Sequence, residues 1–275
     1  TKARALMERA DEAFFEAEAN QLVVGDVADL DAGNPALNQI SSRTEAVRSL
    51  GYLLTTQIDF QEKYIVDALV RRDGSSLFGS DERWQWYYRL SGAYRLSEES
   101  WWPLGGFLSE FKLRASQGTA GGRPQFSAQY ETYHVTAGAV SKATLGNKDL
   151  KPEFAKETEL GADLIAWGRL SLSATYAKSV VKDQLLRVPL AGYVGFADQW
   201  RNAGTLDSKT WEGSLEAAIV QGRNLTWSMN LVADRTRQVI TEFSLPAQLQ
   251  NGIYYIRTGE RLGTMYGHRW AKTCG

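Results

Sequence analysis

The chain has 275 residues and carries a net charge of −1, from 31 basic and 32 acidic side chains. That balance excludes nucleic acid as the main partner, because phosphate binding needs clustered Lys and Arg. Mean hydropathy is −0.35, and no stretch approaches the roughly 18 apolar residues of a membrane helix. A helical membrane protein is thereby excluded. A barrel is not, since its alternating strands average to neutral hydropathy.

Single residue types narrow the chemistry. The lone cysteine, Cys274, stands beside the last residue, so it forms no internal disulfide and makes a poor nucleophile. His134 and His268 lie too far apart for a metal motif. Gly118–Gly122 with Arg123 lacks the Lys-Ser/Thr and the following helix of a phosphate loop. No carboxylate pair is singled out for acid/base work. Neither an enzyme, a cofactor nor a metal centre is expected. The 9 Trp and 12 Tyr suit a membrane–water interface, and suit a carbohydrate-binding β-sandwich equally.

In chain order, Thr1–Ala10 lacks the apolar core of a signal peptide. Leu6, Ala10, Ala13, Phe14 and Ala17 follow helical spacing, which predicts a helix over the first twenty residues. Residues 20–44 are rich in Asp, Asn, Gly and Ser and are expected to be loop. Residues 1–44 are therefore expected as a helix-and-loop segment, an extracellular loop if the rest is a barrel, and 45–275 as the β region, incomplete at both ends. Both ends look internal, which suggests a piece of a longer chain.

From Ser49 onwards the period is two. Ser49–Phe60 sets Leu50, Tyr52, Leu54, Ile58 and Phe60 against Gln57 and Asp59. Tyr64–Asp73 sets Tyr64, Val66 and Val70 against Asp67, Arg71 and Asp73. Gln85–Leu96 sets Trp86, Tyr88 and Leu90 against Arg89, Ser91 and Arg95. Phe111–Gly118 opposes Leu113 to Lys112 and Arg114, and Glu159–Trp167 opposes Leu160 and Leu164 to Glu159 and Asp163. Arg169–Lys178, Thr210–Val220 and Asn224–Asp234 alternate in the same way. Each run is one strand with an apolar and a polar face. Connections alternate: short after Phe60, Trp167 and Val220, intermediate over Ser97–Gly106, and long after Asp73, Gly118, Lys178 and Asp234. Strands of about 9–12 residues match a tilted membrane crossing. A sandwich has no reason to alternate its loops. The fold class expected is all-β, an antiparallel meander forming part of a large transmembrane barrel. Periodicity separates the two faces without saying which is inside.

Several segments resemble the barrel of TonB-dependent outer-membrane receptors of the SusC/RagA-like branch. Tyr64–Gly79 contains Arg71-Arg72-Asp73-Gly74-Ser75-Ser76 followed by Phe78-Gly79. Leu113-Arg114-Ala115-Ser116-Gln117-Gly118 follows, with Gln117 where the family has Tyr. Then come Asn147-Lys148-Asp149-Leu150-Lys151-Pro152-Glu153 with Glu159-Leu160-Gly161, next Asn202-Ala203-Gly204, and last Gly263-Thr264-Met265-Tyr266-Gly267-His268. These matches are collinear. No plug domain, TonB box or closing aromatic strand is found, so about eight strands of a barrel that closes at about 22 are expected.

The resemblance implies import of a bulky nutrient, glycan or peptide, across the outer membrane. It implies the TonB energy-transducing complex and a SusD-like surface lipoprotein as partners, with lipid around the wall. Ligand contacts are expected from the long loops and from lumen-facing Asp67, Arg71, Arg89, Arg95, Arg114, Glu159 and Asp163. Arg71, Arg72 and Asp73 could instead brace the wall. Trp86, Tyr88, Trp101, Trp102, Trp167 and Trp211 are expected at the membrane interfaces. Two competing readings are a soluble carbohydrate-binding β-sandwich, using Trp84, Trp101 or Trp102, and a passive porin.

Overall fold

The computed structural model describes residues 2–18, 39–136, 139–250 and 253–268. Nine long strands form one antiparallel meander. They are β1 (Lys2–Glu18), β2 (Gln39–Phe60), β3 (Tyr64–Ser75), β4 (Trp84–Arg95), β5 (Leu108–Gly122), β9 (Glu153–Ala166), β10 (Leu170–Pro189), β11 (Asp198–Gln221) and β12 (Thr226–Phe243). Between β5 and β9 lie a small hairpin, β6 (Tyr133–Thr136) with β7 (Ala139–Lys142), and β8 (Thr144–Leu145), which pairs parallel with the start of β11. Beyond β12, β13 (Gln248–Gln250) pairs with β14 (Tyr254–Ile256).

All eight strands expected from alternation form. The helix expected over the first twenty residues does not: Lys2–Glu18 is β1, in register with β2 from Lys2 opposite Thr55 to Glu18 opposite Gln39. Pairing along the whole segment satisfies the backbone of both strands and outweighs the modest helical preference of Leu6, Ala10 and Ala13. Of the loop expected over 20–44, residues 39–44 belong to β2, and 20–38 lie outside the described residues. Among the described residues the meander therefore has nine strands rather than eight.

Tight turns collect at one end. Trp167 and Gly168 both have positive φ, 51° and 63°, and Arg169 N–H donates to the Ala166 carbonyl at 3.0 Å. That is the type I′ turn whose twist matches a two-residue hairpin. Gln61 and Glu62, both at φ 57°, repeat the geometry, with Lys63 N–H donating to the Phe60 carbonyl at 3.1 Å. Here Asp59 also accepts from the Glu62 amide at 3.0 Å, which eases a turn made without glycine. The long connections, 76–83, 123–152 and 190–197, lie at the other end.

β10 and β11 run further into the long-loop end than alternation suggested. The register between them shifts between Val181 and Gln184, where Asp183 takes φ 55°. A second shift follows between Gln184 and Leu185, and such irregularities interrupt the two-residue period, so strict alternation misses the outer part of the strand.

The apolar face stays exposed: Ile58 61%, Leu90 55%, Leu160 56% and Trp211 61%. A soluble sandwich would cover that face with a second sheet. Here the buried apolar residues gather instead among the long loops, at Leu77, Phe78, Ala128, Leu150 and Phe196. The charged face encloses a hollow of about 1220 Å³. The charged face is therefore the inside of the wall and the apolar face the outside, as in a barrel crossing lipid.

Candidate functional site on the inner face

Asp67, Arg71, Arg89, Arg114 and Glu159 all line the hollow. They reach it because β3, β4, β5 and β9 are neighbours, and alternate residues of each point inward. Register then sets the ion pairs. Asp67 sits opposite Ser91, and Arg89, one inward position along, donates through Nε to Asp67 Oδ1 at 3.1 Å. On β5, Arg114 Nη2 donates to Thr175 Oγ1 at 2.6 Å, and its Nε lies 3.3 Å from Asp163. Asp163 also meets Lys112 at 3.0 Å and accepts from Ser173 Oγ at 2.7 Å. Ser116 donates to Glu159 at 3.3 Å.

Two of the seven expected residues, Arg95 and Asp163, fall outside the lining of the hollow. Arg95 is fixed near the tight-turn end, its Nη2 and Nε donating to the two carboxylate oxygens of Glu110 at 2.8 and 3.0 Å. Tyr87, Arg123 and Glu157 do line it and were not singled out from the sequence. Tyr87 shares the parity of Arg89, so alternation already placed it inward. Glu157 precedes the point where the alternation of β9 becomes clean, and Arg123 follows β5 in a loop, where periodicity is silent.

Glycines make room for the charged layer. Gly51 is paired with Asp73, and a Cβ there would stand 2.7 Å from the Asp73 carboxylate. Asp73 in turn accepts from Arg71 Nε at 2.6 Å. Arg71 and Asp73 thus brace each other while Arg71 still lines the hollow.

The long loops above the hollow hold one another. Asn147 Nδ2 donates to the Trp200 carbonyl at 2.9 Å, and Leu150 is almost fully buried. Asn202 clasps Lys151 twice, accepting from its N–H and donating to its carbonyl, each at 2.9 Å, and also donates to the Asp183 carbonyl at 2.7 Å. Gln129 reaches the Ser76 carbonyl at 3.1 Å. The segments Asn147–Glu153 and Asn202–Gly204, far apart in sequence, therefore meet in space.

The expected interface aromatics fall into two groups. Trp167 is in its type I′ turn, edge-on to Phe107 with ring centroids 4.4 Å apart. Trp101 and Trp102 lie in the 96–107 connection, where Trp102 stacks on Phe111 at 5.6 Å. Trp86, Tyr88 and Trp211 lie on the outer face towards the long-loop end, with Arg72 set over the rings of Trp84 and Trp86. Among the described residues no group of His, Cys, Asp and Glu is placed to hold a metal ion.

A curved wall with tight turns at one end, long braced loops at the other, a charged inside and an apolar outside defines an outer-membrane β-barrel. The family model "TonB dependent receptor-like, beta-barrel" matches residues 11–269, and the chain belongs to that family. It falls in the SusC/RagA-like branch. It is 29% identical over 246 residues to TonB-dependent receptor P39 of Formosa agariphila, covering 87% of this chain and 22% of that protein. It is 24% identical over 220 residues to TonB-dependent receptor SusC of Bacteroides thetaiotaomicron, covering 73% and 21%. The solved RagAB peptide importer in its closed-closed state superposes with a TM-score of 0.72 at 25% identity, covering 94% of this chain and 30% of that one. The chain thus spans about a fifth of the length of these curated relatives. The family is one of receptors and transporters rather than a class of enzymes.

Proposed function

We propose that this chain is wall of an active importer that carries a bulky nutrient, of peptide or glycan class, across the outer membrane. The observation that carries the reading is the large hollow lined by Asp67, Arg71, Arg89, Arg114, Arg123 and Glu159. Charges of both signs, several of them ion-paired along or across the strands, suit a ligand with charges and amides of its own. Of the lining residues, Phe78 and Tyr87 are the aromatics that do not lie on the outer face, whereas sugar recognition draws on stacking platforms. The lining therefore favours a peptide over a neutral glycan, in line with the peptide-importer neighbour.

Import against a gradient needs energy, and the family supplies it through TonB and a moving plug. The SusC and RagA relatives support a SusD-like lipoprotein as the second partner, seated over the long-loop end. A passive porin would need neither. Trp86, Tyr88 and Trp211 serve the upper membrane interface, and Trp101, Trp102 and Trp167 the lower one.

The test is uptake by cells carrying the intact receptor with Arg89→Gln and Arg114→Gln, supplied with labelled peptide or oligosaccharide pools. Loss of peptide uptake with normal barrel assembly supports the reading. Uptake unchanged by both substitutions, or uptake without TonB, overturns it.

A further inference from the structure

The outer face changes character at one level on three neighbouring strands. On β10 the outward residues Leu172, Ala174 and Tyr176 give way to Lys178. On β11, read upwards, Leu215 and Trp211 give way to Lys209. On β12, Met229, Leu231 and Ala233 give way to Arg235 and Arg237. Register aligns these changes. Tyr176, Trp211 and Arg235 form one cross-strand row, and Lys178, Lys209 and Arg237 form the next outward row. The rings of Tyr176 and Trp211 stand 4.6 Å apart.

Four exposed cations so occupy one small outer patch directly beyond the aromatics. Asp207 is the acidic group that meets them, 3.8 Å from Lys178. The carboxylates nearest in sequence, Glu212 and Asp234, are paired with each other on the opposite, inner face. Among the described residues, Lys209, Arg235 and Arg237 have no ion-pair partner. Like charges directly opposite on paired strands repel, so the row Lys178–Lys209–Arg237 costs stability unless an anion lies over it.

Depth identifies the anion. At a rise of about 3.3 Å per residue and a tilt of about 40°, the run from Trp227 to Arg237 climbs roughly 25 Å, the height of the apolar band of an outer-membrane barrel. The cations therefore stand at the headgroup level of the outer leaflet, and lysine and arginine stems extend further towards that level.

We propose that Lys178, Lys209, Arg235 and Arg237 form a binding site for the phosphate groups of an outer-leaflet glycolipid. Two phosphates of one headgroup can bridge the Lys178–Lys209–Arg237 row, and Arg235, opposite Trp211 in register, can present its guanidinium fork to one of them. The proposal rests on the outer face meeting lipid and is independent of what is imported.

The test uses the intact receptor, purified and placed in nanodiscs, with lipid A and its dephosphorylated form as probes. The wild-type protein should bind lipid A about tenfold or more tightly than the dephosphorylated lipid. K178Q/K209Q/R235Q/R237Q should abolish that preference, and K178R/K209R should keep it. Heat-modifiable mobility on gels confirms that each variant is a folded barrel. Equal binding of the two lipids, or a preference retained by the quadruple glutamine variant, overturns the proposal. Displacement by millimolar inorganic phosphate also overturns it, by showing a soluble-phosphate site. Normal nutrient uptake by the quadruple variant separates this site from import.

Discussion

Arg114 lies flat across Gly161, the residue it is paired with on the next strand: a Cβ built on Gly161 would stand 2.6 Å from Arg114 Cζ and 2.7 Å from Nε. The missing side chain lets the guanidinium cross β9 and reach Thr175 and Ser173 on β10. One strand is thereby skipped, and β5 is tied to β10 from inside the barrel.

Gly161→Ala should push Arg114 off this path and destabilise the intact receptor by about 1–3 kcal/mol, the usual cost of overpacking a fitted site. The measurement is urea-dependent folding in detergent. The pair with Arg114→Ala should be strongly non-additive, because the clash disappears with the guanidinium. Additive effects would show that the two residues do not share this space.

The Asp67–Arg89 pair should contribute little to stability. The Arg89 side chain is 54% exposed, and exposed ion pairs contribute about 0–1 kcal/mol. Arg89→Gln should leave folding within that range while weakening ligand binding in the hollow. A large loss of stability with unchanged binding would make the pair structural.

Glu99 sits beyond the tight-turn end of β4, where the Tyr64 hydroxyl donates to it at 2.7 Å, Lys63 at 3.3 Å and Tyr94 at 3.2 Å. Chiefly through the Tyr64 hydrogen bond, with Lys63 and Tyr94 adding to it, its carboxyl is held below the usual carboxylate range. The folded state thus favours the ionised form. The resulting stability is present at neutral pH and is lost as pH falls through the lowered value. A carboxyl titration of Glu99 by NMR should move up towards the ordinary range in Tyr64→Phe.

Asn202→Ala removes three hydrogen bonds between β11, Lys151 and the β10 bulge at Asp183. Trypsin should then cut faster after Lys148, with the barrel itself still assembled. Unchanged cleavage would mean that the loops are held by other contacts.

Much of the wall was legible because a two-residue period is unambiguous where one face is apolar. Leu54, Val66, Leu90 and Leu160 announced their strands, and the polar partners of these residues predicted most of the hollow. Lys2–Glu18 failed because its helix-forming residues pair with β2, a contact that no local pattern displays. The outer parts of β10 and β11 failed at the Asp183 bulge, which breaks the period. Which face is inside depends on curvature, and alternation carries no curvature. The outward cations Lys178 and Lys209 were visible as residues, but their alignment with Arg237 exists only once register is fixed.

The most direct test of the central claim uses single cysteines in the intact receptor, in a Cys274→Ser background, in native outer membranes. Arg89→Cys faces the hollow and Leu90→Cys the lipid. A small charged thiol reagent should label Arg89→Cys, and should leave Leu90→Cys untouched until detergent strips the lipid away. Equal labelling of both positions in intact membranes would contradict the barrel wall described here.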